Sequence, residues 1–136
     1  MGNYETNKGR CYELALSSIL RFDHPGDEEA VLVHGYPHLY RPGKPDDGCK
    51  YGHAWIEYMD GYIAKVYDPV TEETFQRDRY YSAGRIDERE CHVYTREEAA
   101  RHFVESRDDE IDVPPDHEPM SPGPWHTPPD DAIFGP

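Results

Sequence analysis

Cys11, His53 and Asp68 are the residues of this sequence whose types and order suit covalent chemistry. A cysteine thiolate attacks a carbonyl carbon. An imidazole takes the thiol proton and later returns it to the leaving group, while a carboxylate fixes the imidazole's tautomer and stabilises its charged form. Amides, isopeptides and thioesters are the substrates open to such a set, through a thioacyl intermediate. A backbone N–H near Cys11 would supply part of an oxyanion hole, with the Asn7 side chain as a candidate second donor. Each residue also has a plainer reading. A free cysteine is often a small buried hydrophobe, and a His–Asp pair can sit on a surface without reacting.

Three elements must position these groups. The segment Cys11 to Phe22 carries Tyr12, Ala15, Leu16, Ile19 and Leu20 at helical spacing, which predicts an amphipathic helix with Thr6 or Asn7 as its N-cap. Cys11 then opens the first turn, where unpaired N–H groups and the positive end of the macrodipole favour a thiolate. The stretch Tyr51 to Pro69 is rich in aromatic and β-branched residues and predicts a β-hairpin. Asp60-Gly61 is a signal for a two-residue type I′ turn. That turn pairs Met59 with Tyr62, Glu57 with Ala64, Trp55 with Val66 and His53 with Asp68. Directly opposed Cβ atoms lie roughly 4.5–5.5 Å apart, within reach of an imidazole and a carboxylate. A slip of one residue would send the two side chains to opposite faces.

The remaining chain reads as follows. Ala30 to Gly35 predicts a short buried strand. Tyr36 to Lys50, with three prolines and two glycines, predicts a long turn-rich loop able to cover a cleft. Val70 to Asp78 reads as polar connection, Arg79 to Ile86 is ambiguous, and Cys91 to Tyr94 predicts a strand. Thr95-Arg96-Glu97-Glu98 has the form of a capping box and opens a second helix through about Ser106, with Ala99, Phe103 and His102 toward the core. Residues 107–136 hold eight prolines, eight acidic residues and one arginine. This extension has no core of its own, yet Trp125, Ile133 and Phe134 are apolar enough to dock, and Trp125 is the expected anchor. The organisation is therefore a domain over 1–106 and an acidic Pro-rich extension over 107–136.

The chain has 136 residues, net charge −14 and pI about 4.8. No basic face suits a phosphate backbone, which disfavours nucleic acid. No apolar run is long enough for a membrane span, and no leader pattern is present. Three cysteines, an odd number, argue against a disulfide framework and for a reducing, cytoplasmic setting.

Gly9-Arg10-Cys11-Tyr12, Gly52-His53-Ala54-Trp55-Ile56-Glu57 and Val66-Tyr67-Asp68-Pro69 together resemble the papain-like superfamily, in particular its transglutaminase-like branch. Tyr12 stands where transglutaminases carry Trp. The resemblance implies Cys11 as nucleophile, His53 as base and Asp68 as the orienting acid, in a papain-like α+β core. A broader pattern is similar to small tailed-phage proteins. It includes Leu32-Val33-His34-Gly35, Tyr80-Tyr81, Tyr94 to Ala99 and Gly123-Pro124-Trp125. That likeness implies no activity, and it would place the protein in the host cytoplasm.

Further residues have two readings each. Tyr12, His34 and Trp55 are candidates to line a substrate site, against the commoner structural role of buried aromatics and histidines. Glu57 shares the His53 face and suits a partner arginine. Cys49, His53, Cys91 and His92 can be drawn as a zinc set, but an adjacent Cys-His chelates poorly and paired C-x2-C knuckles are missing, so neither metal nor cofactor is expected. The reading is an α+β fold with a cysteine-bearing helix on a small antiparallel sheet. Its function is a cysteine hydrolase or acyltransferase on a protein or peptide substrate. The competing class is a non-catalytic interaction protein on the same scaffold, binding a host protein or serving as a virion-associated module.

Overall fold

The computed structural model describes residues 10–110, 125, 129 and 132–133. Among them the chain forms a mixed α+β fold. Helix α1 (Cys11–Arg21) is followed by strands β1 (Val31–Gly35), β2 (Lys50–Tyr51), β3 (His53–Asp60), β4 (Ile63–Asp68) and β5 (Glu73–Gln76). Helix α2 (Arg77–Gly84), a 3-10 turn (Glu88–Glu90), strand β6 (His92–Tyr94), helix α3 (Arg96–Glu110) and strand β7 (Ala132–Ile133) complete the order. Five strands make one antiparallel sheet in the order β5-β4-β3-β1-β6, and β2 pairs with β7 in a separate parallel pair.

The sheet is covered on both faces. Ala15, Leu16 and Ile19 of α1 pack with Leu32, Ala54, Ile56 and Ala99 on one side. Val33, Trp55 and Val66 pack with Tyr81 of α2 on the other. The alternation of Ala54 and Ile56 with His53 and Trp55 thus divides β3 between two layers. The predicted amphipathic stripe accounts for α1. It ends at Phe22, in the left-handed region at φ 56, whose N–H returns to the Ser18 carbonyl. Its N-cap is Arg10, which makes no side-chain cap bond and holds Glu13 instead, at 3.1 and 3.2 Å. Thr6 and Asn7, the expected cap candidates, lie outside the described residues.

The capping box of α3 forms as the spacing predicts. Thr95 N–H donates to Glu98 Oε1 at 2.9 Å, and Glu98 N–H donates to Thr95 Oγ1 at 3.1 Å. The helix runs to Glu110, beyond the expected end near Ser106. Arg96 ties it to α1 by donating to the Ile19 carbonyl at 2.7 Å.

Three expectations are corrected. The segment read as polar connection contains β5, and the ambiguous one forms α2. The Tyr36–Lys50 loop ends in β2 and is pinned at its base, with Leu39 N–H on the Cys49 carbonyl at 2.8 Å and Tyr51 N–H on the Pro37 carbonyl at 3.0 Å. The third correction is the hairpin register. Asp60 pairs with Ile63, Met59 with Ala64, Glu57 with Val66 and Ile56 with Tyr67. The turn residues are therefore Gly61-Tyr62, not Asp60-Gly61. Gly61 has φ +63 and Tyr62 is not among the positive-φ residues, the sign pattern of a II′ turn. A I′ turn would also require Asp60 at positive φ, at a cost of about 1 kcal/mol. Here Asp60 stays in the strand and its carboxylate meets Lys65 Nζ at 2.7 Å. The ladder is displaced by two residues, an even number, so every side chain keeps its expected face.

Candidate functional site

His53 and Asp68 lie near one end of the sheet, on the face shared with Trp55 and Val66. In the observed register Asp68 comes opposite Trp55, so His53 is its diagonal neighbour and not its direct one. Diagonal residues are roughly 7–8 Å apart at their backbones, and the imidazole closes that gap. His53 Nε2 and Asp68 Oδ2 are 3.0 Å apart. Asp68 lies where β4 turns toward β5. Its Oδ1 accepts the Val70 N–H at 3.0 Å, an Asx-type turn made by its own loop. Its Oδ2 also accepts the Tyr80 hydroxyl at 2.8 Å.

Cys11 reaches the same place from α1. Its Sγ points to the Gly52 carbonyl, 3.9 Å away, one residue before His53. Cys11 is near enough to the imidazole to raise its pKa. His53 Nδ1, the ring nitrogen that Asp68 leaves over, is buried and has no hydrogen-bond partner among the described residues. Gly52 has to be glycine. A Cβ there would come 2.3 Å from the Tyr12 hydroxyl, so Tyr12 presses directly on the link between the thiol's carbonyl partner and the imidazole.

Electrostatics follow from this packing. Burial pulls the His53 pKa down, but the Asp68 charge and hydrogen bond, with the neighbouring Cys11, outweigh it and hold the ring well above its ordinary 6.5. Burial would raise the Asp68 carboxyl, yet the His53 charge and the bonds from His53, Tyr80 and Val70 bring it below the usual value. Both shifts favour an imidazolium–carboxylate pair. Burial raises the phenols of Tyr12 and Tyr80, and the Asp68 carboxylate raises Tyr80 further. The three reactive groups are nearly sealed, with Cys11 3%, His53 6% and Asp68 7% exposed.

The structure brings Cys11, His53 and Asp68 together, with Tyr12 beside them. Asn7 lies outside the described residues. Trp55 is fully buried and tilts beside His53, with ring centroids 5.9 Å apart. It serves as a wall of the imidazole pocket and as core. His34 is also fully buried and packs between Tyr12 and Tyr94, each 4.9 Å away by ring centroid. It therefore reaches the site only through Tyr12. Glu57 does find an arginine: Arg77 Nε donates to it at 2.9 Å. No group of three or more His, Cys, Asp or Glu side chains able to hold a metal occurs among the described residues, so the drawn zinc set does not assemble there. No described helix is long and apolar enough to cross a membrane.

Tyr80 borders the His53–Asp68 pair without a sequence signal that marks it. It touches Asp68 directly, but its segment carried no clear period, and adjacent Tyr80 and Tyr81 bond different carboxylates, Asp68 and Glu57. Tyr51 was also passed over, and its ring stands 5.7 Å from that of His53. No family model, curated protein or solved structure matches this chain.

Proposed function

We propose that this protein is a cysteine-dependent hydrolase or acyltransferase on a papain-like, transglutaminase-like scaffold. Cys11 is the nucleophile, His53 the acid–base group and Asp68 the residue that orients and charges it. One observation carries the reading. The buried imidazole gives Nε2 to a carboxylate with two further donors, and its Nδ1 side is left to a cysteine at the start of a helix. A structural histidine has no use for that asymmetry.

The chemistry balances with these groups alone. The Cys11 proton passes to His53 Nδ1 and the thiolate attacks the substrate carbonyl. As the tetrahedral species collapses, the carbon–nitrogen or carbon–sulfur bond breaks and the imidazolium protonates the departing amine or thiol. Water or an amine then attacks the thioester, giving its proton to Nδ1, and the regenerated sulfur leaves as thiolate. The first-turn N–H groups of α1, which the Arg10 side chain does not cap, suit the oxyanion.

The test is acylation of the intact protein by a small activated ester, read by peptide mass spectrometry. Cys11, 3% exposed, is expected to acylate measurably once a small ester reaches it, and His53→Ala to slow that acylation. Equal acylation of Cys11 in His53→Ala and in the wild type would mean that the cysteine is structural.

A further inference from the structure

Two parts of the C-terminal extension rest on the borders of this site. Trp125 sits in an aromatic seat. Its ring stacks on His102 at 4.4 Å and 8°, meets Tyr94 at 5.0 Å edge-on and His34 at 5.1 Å. Tyr12, the residue after the nucleophile, forms the floor of the seat by packing on His34 and presses on Gly52 with its hydroxyl. Seven positions beyond Trp125, Ala132 and Ile133 pair in parallel with Lys50 and Tyr51. Tyr51 in turn faces the His53 ring. One fastener thus leads through His34 to Tyr12, the neighbour of Cys11 in the chain, and the other through Tyr51 to the His53 ring.

We propose that the groove from this aromatic seat to the edge of β2 is the peptide-binding site of the enzyme. Its ligand is a peptide that places an aromatic side chain in the seat and adds a backbone strand to Lys50–Tyr51, and the chain's own Trp125 and Ala132–Ile133 are the resident occupants of these two places. The inference rests on the acyl-transfer reading of Cys11 and His53, and it names the class of substrate. Three features support a recognition site over a permanent staple. Strand addition at an edge is a general way to read a peptide backbone, with separate pockets for its side chains. The β2–β7 pair is two residues long and separate from the main sheet, so it opens at small cost beside the five-stranded core. The indole stays only half-buried where it packs against the core cluster, and the tyrosine and histidines around it offer flat, polar-edged rings that suit an exchangeable group. An occupied groove also fits a thiol that is 3% exposed. The tether raises the local concentration of the resident segment, so a competing peptide must bind well to displace it.

The full-length chain carries the test, through iodoacetamide labelling of Cys11 read at the peptide level with Cys49 and Cys91 as internal references. Trp125→Ala is expected to speed Cys11 labelling at least tenfold and to leave the other two unchanged. Ala132→Pro, which removes one backbone N–H from the β2–β7 pair, is expected to act in the same direction. A synthetic peptide with the sequence of residues 121–136, added to the Trp125→Ala chain, should restore protection, and the same peptide lacking its Trp should not. Unchanged Cys11 labelling in both variants overturns the proposal, as does a peptide that binds by fluorescence anisotropy without protecting Cys11. If Trp125→Ala loses cooperative unfolding, Ala132→Pro with the added peptide decides alone. Protection is read without turnover, so failure of the groove and failure of the acyl-transfer reading give different results.

Discussion

Asp68 and Glu57 are two carboxylates on the same face of the same hairpin, and their partners differ in kind. Glu57 accepts from the Trp55 indole at 2.8 Å, from Arg77 at 2.9 Å and from the Tyr81 hydroxyl. The two hydroxyl and indole donors are neutral, and the guanidinium keeps its charge at any working pH. The group is fully satisfied, and none of these donors is an imidazole. Asp68 is bonded as heavily, but one of its donors is an imidazole whose other nitrogen is buried without a hydrogen-bond partner among the described residues. The first network fixes Trp55 and α2 against the sheet. The second holds a titratable ring poised for transfer. Burial and bond number are alike, so what separates structure from chemistry is whether a partner can change its charge. Removing either carboxylate should therefore damage different things.

The largest effect is expected from Asp68→Asn. By analogy with the general behaviour of catalytic triads, loss of the orienting carboxylate should lower acylation by about 10³- to 10⁴-fold, measured as the burst of leaving group from an activated ester. The sign of the pH effect follows from the charge. In the wild type His53 stays protonated above its ordinary 6.5, so the alkaline limb of the rate profile, where the imidazolium is lost, lies above that value. In Asp68→Asn the charge of Asp68 is gone and burial, which lowers the pKa, is opposed by Cys11 alone, so the limb moves to lower pH. An unmoved limb would show that the pair does not control the acid. Stability should follow the same pair. The raised His53 pKa contributes fully below about 6.5 and fades as pH rises through its folded value. The lowered Asp68 pKa contributes above about 3.9 and fades as pH falls through its folded value.

Glu57→Gln should do the converse. It leaves Arg77 with only Glu88 as an ionic partner, and breaking a largely buried pair costs about 2–3 kcal/mol. The expected result is a lower midpoint in urea with acylation per folded molecule unchanged. A loss of acylation larger than the loss of folded protein would show that the Trp55 wall is part of the reaction.

Gly52→Ala probes the join between the helix and the hairpin. The new methyl meets the Tyr12 hydroxyl, and overpacking of this kind costs about 1–2 kcal/mol. Gly52→Ala should recover part of its stability in a Tyr12→Phe background, since that change removes the atom 2.3 Å away. Strict additivity of the two changes in a double-mutant cycle would deny the contact.

Much of this was legible in the sequence, and the limits are physical. The face shared by His53 and Asp68 could be read because Trp55 and Val66 must be buried, and exposing each would cost about 2 kcal/mol. That pattern fixes the parity of the register and nothing finer. Choosing between registers of equal parity fell to the turn, where Asp60-Gly61 and Gly61-Tyr62 differ by only about 1 kcal/mol of backbone preference. The Thr95–Glu98 box was readable because both partners are local. β5 and α2 were not, because Glu73–Gln76 has only Phe75 as a large apolar residue and α2 buries little beyond Tyr81. The pairing of β5 with β4 and the packing of Tyr80 and Tyr81 on Trp55 are tertiary facts. Tyr80 went unseen for the same reason.

Tyr80→Phe is the smallest of the expected effects and the most discriminating. It deletes one oxygen and leaves the ring packed on Trp55 and Phe75. The lost hydrogen bond to Asp68 is worth about 1 kcal/mol to stability, at the edge of what a urea midpoint resolves. Its chemical effect has a clear sign. The hydroxyl donates to the ionised form of Asp68 and helps hold that carboxyl below its usual value. Without it, Oδ2 gives more of its charge density to His53 Nε2, the one donor left on that oxygen. The imidazolium should then be held more tightly, and the alkaline limb should move slightly upward, opposite to its movement in Asp68→Asn. Acylation should fall by about tenfold or less, because a more stable imidazolium is a weaker acid toward the leaving group. If the limb in Tyr80→Phe instead moves downward, the hydroxyl serves mainly to aim the carboxylate, and the pairing of Asp68 with His53 loosens when it is removed. In the Glu57 network the matching change, Tyr81→Phe, should leave the pH profile where it is.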